Sequence, residues 1–139
     1  MRQFCHELRV ETTGQGLLDF TSRVEEAVRS AHIKTGICTV FVRHTSASLT
    51  IQENADPSAR RDLEMFLNKL VTEDDPDYTH VYEGSDDMPS HIKAALTSTS
   101  LSIPVLKGKL ALGTWQGIYL WEHRVLGSYR KIVVHVLGD

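Results

Sequence analysis

The apolar residues at the start of the chain are spaced first as in a strand and then as in a helix. Residues 3–12 mix apolar and polar side chains, which predicts a first strand, and TTGQG supplies a turn. Apolar residues then recur every three or four positions, which predicts an amphipathic helix. Thr21 or Ser22 is its expected N-cap, since Ser22-x-x-Glu25 matches a capping box, and the helix is expected to end near Lys34.

The next apolar segment, ICTVFV at 37–42, is nearly continuous and rich in β-branched residues, which predicts an interior strand. SLTIQ follows as its continuation or its partner. Residues 55–71 predict a second helix, with Asp56 as N-cap and Pro57 at the first helical position. The buried stripe of this helix is expected to consist of Leu63, Phe66, Leu67 and Leu70.

The second half of the chain begins with a polar segment, 72–87, that shows neither periodicity and is predicted to be a long loop. A third helix is expected from Pro89 to Thr97, capped by Asp86 or Asp87. After residue 100 the pattern is one of strands and turns. The whole predicts a single α+β domain over residues 1–139, with a mostly antiparallel sheet and about three helices.

Composition narrows the class of protein. The chain has 139 residues, 41% of them apolar and 24% charged, which is typical of a globular domain. A formal net charge of -3 argues against a nucleic-acid partner. Cys5 and Cys38 lack metal or disulfide spacing and are expected to be reduced thiols. No segment resembles a signal peptide or a membrane span, so we expect a cytoplasmic protein without a membrane partner.

A first polar cluster follows the interior strand. His44 stands at the strand end, where an imidazole can bind metal or transfer protons, although a histidine bonded to the backbone is the simpler interpretation. Asp56 is expected to be a helix cap rather than a catalyst. Glu53 has no evident structural role, which makes it a catalytic candidate.

A second cluster precedes the third helix. Asp86 and Asp87 are adjacent carboxylates that suit an oxygen-preferring cation such as magnesium. His80 lies in the approaching loop and His91 in the first turn of the helix. If His44, His80 and His91 converged, they would form a three-histidine site of the zinc type, although their spacing matches no compact metal motif.

A third cluster, GTWQGIYLWEHR, combines glycines, aromatic residues and charges. In a strand Ile118, Leu120 and Glu122 share one face, while Tyr119, Trp121 and His123 share the other. Trp115 and Gln116 could recognise a flat ring, although a core tryptophan is the alternative. Cationic side chains near the three clusters that could contact phosphate are Arg60, Arg61, Lys93, Arg124 and Arg130. P-loop, Rossmann, serine-hydrolase and HExxH motifs are absent.

Four long strings of the sequence, taken in order, resemble the YjbQ family, also called UPF0047. They are HTSASLTIQENADPSARRDLE, YEGSDDMPSHIKA, IPVLKGKLALGTWQGIYLWEHR and LGSYRKIVV. The resemblance implies a compact α+β fold and a homotrimer with sites near the subunit boundaries. It also implies a secondary thiamine-phosphate synthase activity, which joins hydroxymethylpyrimidine diphosphate to thiazole phosphate and releases pyrophosphate.

For that reaction the enzyme must neutralise a leaving diphosphate and hold a pyrimidine ring. On this scheme the expected roles are metal binding by Asp86 and Asp87, phosphate contacts by Arg60, Arg124 or Arg130, and ring contacts by Trp115 and Gln116. The polar centre is expected to comprise His44, Glu53, His91 and Glu122, with Thr45 and Ser46 among the ligand contacts. The expected cofactor is a divalent metal ion, magnesium or zinc, and the expected substrate a small phosphorylated ring compound.

Three functions therefore compete at this stage. The first is the transferase just described. The second is a metal-dependent hydrolase or lyase built on His44, His80 and His91. The third is a small-ligand binding module without catalysis.

Overall fold

The chain folds into two antiparallel sheets and three helices, and the computed structural model describes all 139 residues. The helices are α1 (Thr21–Ala31), α2 (Pro57–Leu70) and α3 (Asp87–Leu96). The strands are β1 (Arg2–Glu11), β2 (Gly16–Asp19), β3 (Thr35–Val42), β4 (Ala47–Glu53), β5 (Ser100–Leu106), β6 (Lys109–Leu110), β7 (Gln116–Glu122) and β8 (Tyr129–Gly138). The predicted α+β class is confirmed. No helix is both long and apolar enough to span a membrane.

The larger sheet has the strand order β1-β8-β3-β5-β6, and the smaller has the order β2-β7-β4. Alternate residues of the larger sheet, such as Cys38, Val40 and Val42 of β3, are buried on one face. They form the main core with the apolar face of α1 and with residues of β4 and β7. Because side chains alternate along each strand, the other face of this sheet is left without a covering element.

The central strand of the smaller sheet, β7, is buried on both faces. Ile118 and Leu120 belong to the main core, while Tyr119 and Trp121 pack with Leu67 and other residues in a second cluster. The predicted division of this strand into two faces is confirmed. The outer face of the smaller sheet is therefore the one that α2 and α3 cover.

The ends of α1 differ from the prediction. Neither Thr21 nor Ser22 is its N-cap, because Asp19 Oδ1 accepts hydrogen bonds from Thr21 N (2.9 Å) and Thr21 Oγ1 (2.6 Å). Asp19 thus takes the place of the expected capping box. The helix ends at Ala31, before Lys34, because His32 adopts the left-handed conformation with a φ of 53°.

The start of α2 is confirmed, and its buried stripe is in part wrong. Asp56 Oδ1 accepts a hydrogen bond from Ser58 N at 2.9 Å, and Pro57 follows it as the first helical residue. Leu67 is buried, but the side chain of Phe66 is 63% exposed and Leu70 is also exposed. The smaller sheet offers only the narrow surface around Tyr119 and Trp121, so one turn-spaced row of the helix suffices to cover it.

Three further predictions needed correction. Asp86 is the N-cap residue of α3, as predicted, but its side chain does not cap the helix, because the carboxylates of Asp86 and Asp87 contact Arg124 instead. β4 neither continues β3 nor pairs with it, because it crosses to the smaller sheet and pairs with β7. The segment LALG (110–113), which is part of the strand pattern expected after residue 100, belongs to a strand only at Leu110, the last residue of β6. Between the predicted turn TTGQG and α1 lies β2, a strand that the sequence pattern did not reveal.

Candidate metal centre

Two histidines and an aspartate converge where the long loop enters α3. Asp87 Oδ2 lies 2.6 Å from His80 Nε2 and 3.1 Å from His91 Nε2. These three ligand atoms all lie within 4.8 Å of one another. Asp87 and His91 are four residues apart in α3 and so share a face, while His80 comes from the loop. The side chain of Asp87 is only 3% exposed, so the group has a buried carboxylate at its base.

The hydrogen bond at the far side of the His91 ring determines where its lone pair lies. His91 Nδ1 is 2.9 Å from the carbonyl oxygen of Thr45, so this nitrogen carries the proton. In the neutral ring Nε2 then presents a lone pair to a carboxylate oxygen 3.1 Å away. Two lone pairs face each other stably only when a cation, a proton or a metal ion, lies between or beside them. A carbonyl behind the ring is also the usual partner of a metal-binding histidine.

The carboxyl group of Asp87 is held in its charged form. Burial opposes its ionisation, but the hydrogen bond from His80 and the charges of His91 and Arg124 outweigh burial and lower its pKa. Arg124 Nη1 donates to Oδ1 of Asp87, which leaves Oδ2 for the two histidines. The residues present thus fit a divalent cation bound by two imidazoles and one carboxylate.

Arg124 joins the loop to the helix around this group. Its Nε donates to Asp86 Oδ2 at 3.0 Å and its Nη2 donates to the carbonyl oxygen of Glu83 at 2.9 Å. Asp86 Oδ2 accepts a further bond from Val125 N. Because Asp86 is occupied in this way, it is not a member of the ligand group, contrary to the sequence prediction. Arg124 is equally occupied, so the structure gives it a positioning role instead of the expected substrate contact.

His44 lies outside the three-residue group. Its Nε2 accepts a hydrogen bond from Lys131 N at 2.7 Å, which is the simpler of the two interpretations given by the sequence. Burial, followed by the charge of Arg130, lowers the pKa of His44 and keeps the ring neutral, as an acceptor must be. The predicted triad of His44, His80 and His91 is therefore replaced by one in which Asp87 takes the place of His44.

Glu122 and Arg130 form a buried ion pair in the core. Arg130 Nε donates to Glu122 Oε1 at 2.8 Å, and Arg130 Nη2 donates to the other oxygen. Thr12 Oγ1 donates to Oε1 at 2.6 Å and Arg124 N to Oε2 at 3.2 Å. Both carboxylate oxygens are fully engaged, so neither the catalytic role expected of Glu122 nor the substrate contact expected of Arg130 has support in this arrangement.

Thr45 and Ser46 contribute backbone atoms rather than side chains. The Thr45 carbonyl accepts from His91, and the Ser46 carbonyl accepts from Arg130 Nη2 at 3.2 Å. These two backbone carbonyls therefore help to hold the side chains of His91 and Arg130 in place. The ligand contacts expected of the Thr45 and Ser46 hydroxyl groups stay predictions.

Glu53, Trp115 and Gln116 lie away from the histidines. Glu53 Oε2 accepts from Asp56 N at 3.0 Å, so Glu53 does have a structural role, at the start of α2. Gln116 Oε1 accepts from Gly113 N at 2.7 Å and closes the loop that carries an exposed Trp115. Gln116 lines a separate cleft of about 550 Å³ that contains none of the three candidate ligands.

One acidic residue beside the metal group was not singled out from the sequence. Glu83 Oε2 lies 3.7 Å from His80 Nε2, and the Glu83 backbone is fixed by Arg124. Its side chain remains largely exposed. The signal available in the sequence was the His80-x-x-Glu83 spacing just before two aspartates, but in a loop such spacing does not determine proximity.

Comparison with known proteins assigns this chain to a family. The family model described as UPF0047 protein YjbQ-like matches residues 6–139. The chain belongs to this family. A UPF0047 protein of Synechocystis sp. is 53% identical over 138 residues, which cover 99% of this chain and 94% of that protein. YjbQ of Escherichia coli O157:H7 is 49% identical over 107 residues, which are 77% of each chain.

Solved structures of other YjbQ-like proteins show the same fold. A protein of unknown function from Sulfolobus solfataricus P2 has a TM-score of 0.91, with 29% identity and 99% of each chain covered. A YjbQ/UPF0047 family protein from Clostridium acetobutylicum has a TM-score of 0.86 at 38% identity, covering 95% of this chain and 99% of that one. No reaction is stated for these relatives, so only the geometry of the site indicates a function.

A second polar network of this YjbQ-like chain is buried next to the ion pair. His123 Nε2 lies 2.8 Å from Ser48 Oγ, which in turn lies 2.6 Å from Thr97 Oγ1. Burial, with the nearby charges of Lys93 and Arg130, lowers the pKa of His123 to about 3. The ring is therefore neutral in the folded protein at every pH above that value.

This network predicts acid sensitivity. In the unfolded chain His123 protonates near pH 6.5, whereas in the folded chain it does so near pH 3, so stability is full above pH 6.5 and falls as the pH drops towards 3. At pH 4.5 we expect His123 alone to lower the free energy of unfolding by about 2–3 kcal/mol. Urea unfolding of the native protein and of His123→Gln at several pH values measures this. The variant should lose about 1.4 kcal/mol less per pH unit between pH 6 and 4, and equal slopes would refute the assignment.

Proposed function

We propose that the protein is a metal-dependent hydrolase or lyase whose metal ligands are His80, Asp87 and His91. The convergence of two imidazole nitrogens on one buried carboxylate oxygen is the observation that supports this proposal. Each of the three residues is oriented by the surrounding chain: His91 by the Thr45 carbonyl, Asp87 by Arg124, and His80 by the loop that Arg124 fixes. Such preorganisation is expected of a functional centre.

The donor set favours zinc over magnesium. Two imidazoles and a carboxylate form the protein ligand set of catalytic zinc sites, in which a fourth position stays open. Magnesium prefers oxygen ligands and would use few of the atoms present here. When bound, a zinc ion polarises a carbonyl or phosphoryl oxygen and makes water a better nucleophile. The exposure of His80 and the partial exposure of His91 leave the centre open to a substrate from the solvent side.

Glu83 is the residue best placed to act as the general base. Its carboxylate lies 3.7 Å from His80 Nε2, and the hydrogen bond from Arg124 to its carbonyl fixes the backbone while the side chain is largely exposed to solvent. A base in this position would accept a proton from the attacking water. Glu83 therefore takes the role that the sequence had suggested for Glu53.

The proposal predicts that Glu83→Gln separates catalysis from metal binding. We expect the zinc-loaded protein to hydrolyse an activated ester such as p-nitrophenyl phosphate or p-nitrophenyl acetate, and the variant to lower kcat by roughly 100-fold. Zinc content should be unchanged, because Glu83 is not one of the three ligands. Glu26→Gln, an exposed carboxylate on α1, is the control and should remain active. Full activity in Glu83→Gln would contradict the assigned role, and absence of any zinc-dependent turnover would contradict the proposal.

The thiamine-phosphate synthase reaction is a second proposal, favoured by a different observation. Arg60 and Arg61 line a recess of about 410 Å³ beside Glu122, and their guanidinium groups make no hydrogen bond or ion pair within the chain. Two free guanidinium groups at a recess suit a diphosphate. Release of pyrophosphate only when both precursors are present, and its loss in Arg60→Ala/Arg61→Ala, would support this activity. Normal release in that variant would contradict it.

We also propose that the chain assembles as a homotrimer through the uncovered face of the larger sheet. Ile37 and Phe41 of β3 are 43% and 46% exposed on this face. Ile37 pairs with Leu137 and Pro104, and Phe41 pairs with Val133, so apolar side chains lie on this face at both ends of β3, on either side of the polar Thr39. A patch of this kind on a sheet is typical of a protein interface.

Phe41→Asp is expected to dissociate the assembly. An unpaired charge buried at a subunit contact costs several kcal/mol of association free energy. A contact of ordinary size does not remain stable after a loss of that size. Sedimentation equilibrium should show a trimer for the native protein and a monomer for the variant. Met65→Asp is the matched control, since Met65 is an exposed apolar residue of α2 away from the patch, and it should stay trimeric. A monomeric native protein would contradict the proposal.

A further inference from the structure

A second polar cavity lies between α2, α3 and the end of β7. Its volume is about 150 Å³, and the residues that determine its chemistry are Lys93, Glu64, Asn68, Trp121 and His123. None of His80, Asp87 and His91 lines it, so it is separate from the proposed metal centre and an inference from it does not rest on the proposed function.

Lys93 is a buried cation without a carboxylate in contact. Only 4% of the residue is exposed, and its Nζ donates to Asn68 Oδ1 at 2.6 Å. No carboxylate oxygen lies within 4.0 Å of Nζ, and Glu73 and Asp86 act on the charge only from a greater distance. Lysine is almost never buried unless paired, and an ammonium group has three donors. The cavity therefore offers two unused charged N–H donors to a ligand.

Glu64 supplies the opposite charge in the same cavity. Its Oε1 accepts a hydrogen bond from Leu17 N at 3.2 Å, and its other oxygen makes no hydrogen bond within the chain. Glu64 and Lys93 do not pair with each other. Glu122 also borders the cavity, but Arg130 neutralises it. The lining thus carries one free positive and one free negative charge, which suits a ligand with separated charges and no net charge.

The neutral groups of the lining complete this pattern. His123 is uncharged, and its Nε2 is engaged with Ser48. Its Nδ1 has no hydrogen-bond partner in the chain. Because every fully buried polar side-chain atom has a partner, Nδ1 is not fully buried. Nδ1 therefore faces the cavity, and it is an acceptor in the tautomer whose Nε2–H donates to Ser48 Oγ. The Trp121 ring lies 5.7 Å from the His123 ring and forms an apolar wall.

We propose that this cavity binds a small zwitterionic amino acid, with its carboxylate on Lys93 and its ammonium group on Glu64 and His123 Nδ1. A volume of 150 Å³ is about five times the ~30 Å³ that one water occupies in the liquid. This is room for about five to seven non-hydrogen atoms, the size of glycine, alanine or serine.

Equilibrium dialysis with radiolabelled glycine, L-alanine, L-serine and acetate tests the proposal. We expect saturable binding of at least one of the three amino acids at one per chain, and weaker binding of acetate, which lacks the ammonium group. Lys93→Met should weaken amino-acid binding roughly tenfold or more, as expected for loss of a charged hydrogen bond. Lys69→Met, an exposed lysine of α2, is the control and should bind as the native protein does.

Glu64→Gln provides an independent test at a residue that is only partly buried. It should weaken amino-acid binding and strengthen acetate binding, because the free negative charge is removed while Lys93 stays. The proposal is overturned if none of the three amino acids binds saturably, if acetate binds the native protein as tightly as they do, or if Glu64→Gln leaves the preference unchanged.

Discussion

His91→Ala is expected to weaken zinc binding by at least about 100-fold, because losing a group that merely orients a metal ligand already costs about 10–100-fold and His91 is a direct ligand in the proposed centre. The variant removes Nε2, one of only three ligand atoms, and leaves Asp87 and His80 to hold the ion. Two protein ligands do not complete a zinc site. Competition against a chromophoric zinc chelator at pH 7.5 measures the dissociation constant.

The matched control for this experiment is His6→Ala. His6 is an exposed histidine of β1 and is not a member of the ligand group, so its loss should leave zinc affinity unchanged. His44→Ala is equally informative, since the sequence had proposed His44 as a ligand and the structure bonds it to Lys131 N. A dissociation constant that rises in His44→Ala and stays constant in His91→Ala would reverse our assignment.

Glu122→Gln is expected to lower the free energy of unfolding by about 3–5 kcal/mol, which is the cost of removing one partner from a buried ion pair. Arg130 would remain charged and buried, since it is only 5% exposed and a guanidinium does not lose its proton. Thr12 Oγ1 and Arg124 N would also lose their charged acceptor. Urea unfolding followed by circular dichroism measures the change.

The same residue was a catalytic candidate in the sequence, so the experiment distinguishes two roles. In the structural role, replacing both partners in Glu122→Met/Arg130→Met should recover most of the lost stability, because no unpaired charge remains. Zinc affinity should change little, since neither residue contacts the ligand group. A Glu122→Gln variant that is as stable as the native protein yet inactive would restore the catalytic role and refute ours.

The strands were predicted well where the apolar pattern follows from their place in a sheet. β3 lies between β8 and β5 in the larger sheet, although only alternate residues of it are buried, and β7 is buried on both faces because two different cores pack on it. The pattern of α2 was misleading because exposed Phe66 and Leu70 have the same spacing as buried residues. An exposed apolar residue and one that contacts the core are alike in sequence.

The sequence predicted which residues belong to the candidate site better than it predicted how they are arranged. His80, Asp87 and His91 were all predicted as candidates, because polar residues cluster around the start of the predicted third helix. Their spacing in the sequence did not show which of them are in contact, because His80 reaches Asp87 through a loop whose path depends on Arg124. The roles of Glu122 and Arg130 were missed for the same reason, because their pairing joins strands of different sheets.

Arg124 explains why the loop and α3 act as one unit. Its Nε, Nη1 and Nη2 donate one hydrogen bond each, to the carboxylates of Asp86 and Asp87 and to the carbonyl oxygen of Glu83. A lysine would supply a point charge without this planar fork. The candidate base, the candidate buried ligand and the helix start are thus positioned by one side chain.

A crystal structure of the protein grown with zinc and without chelator, with anomalous data collected at the zinc edge, tests the central claim most directly. We predict one strong anomalous peak about 2.0–2.2 Å from His80 Nε2, His91 Nε2 and Asp87 Oδ2. The separation of His80 Nε2 and Asp87 Oδ2, now 2.6 Å, should widen to make room for the ion. A map without a peak at this position, with His80 still hydrogen-bonded to Asp87, would contradict the account.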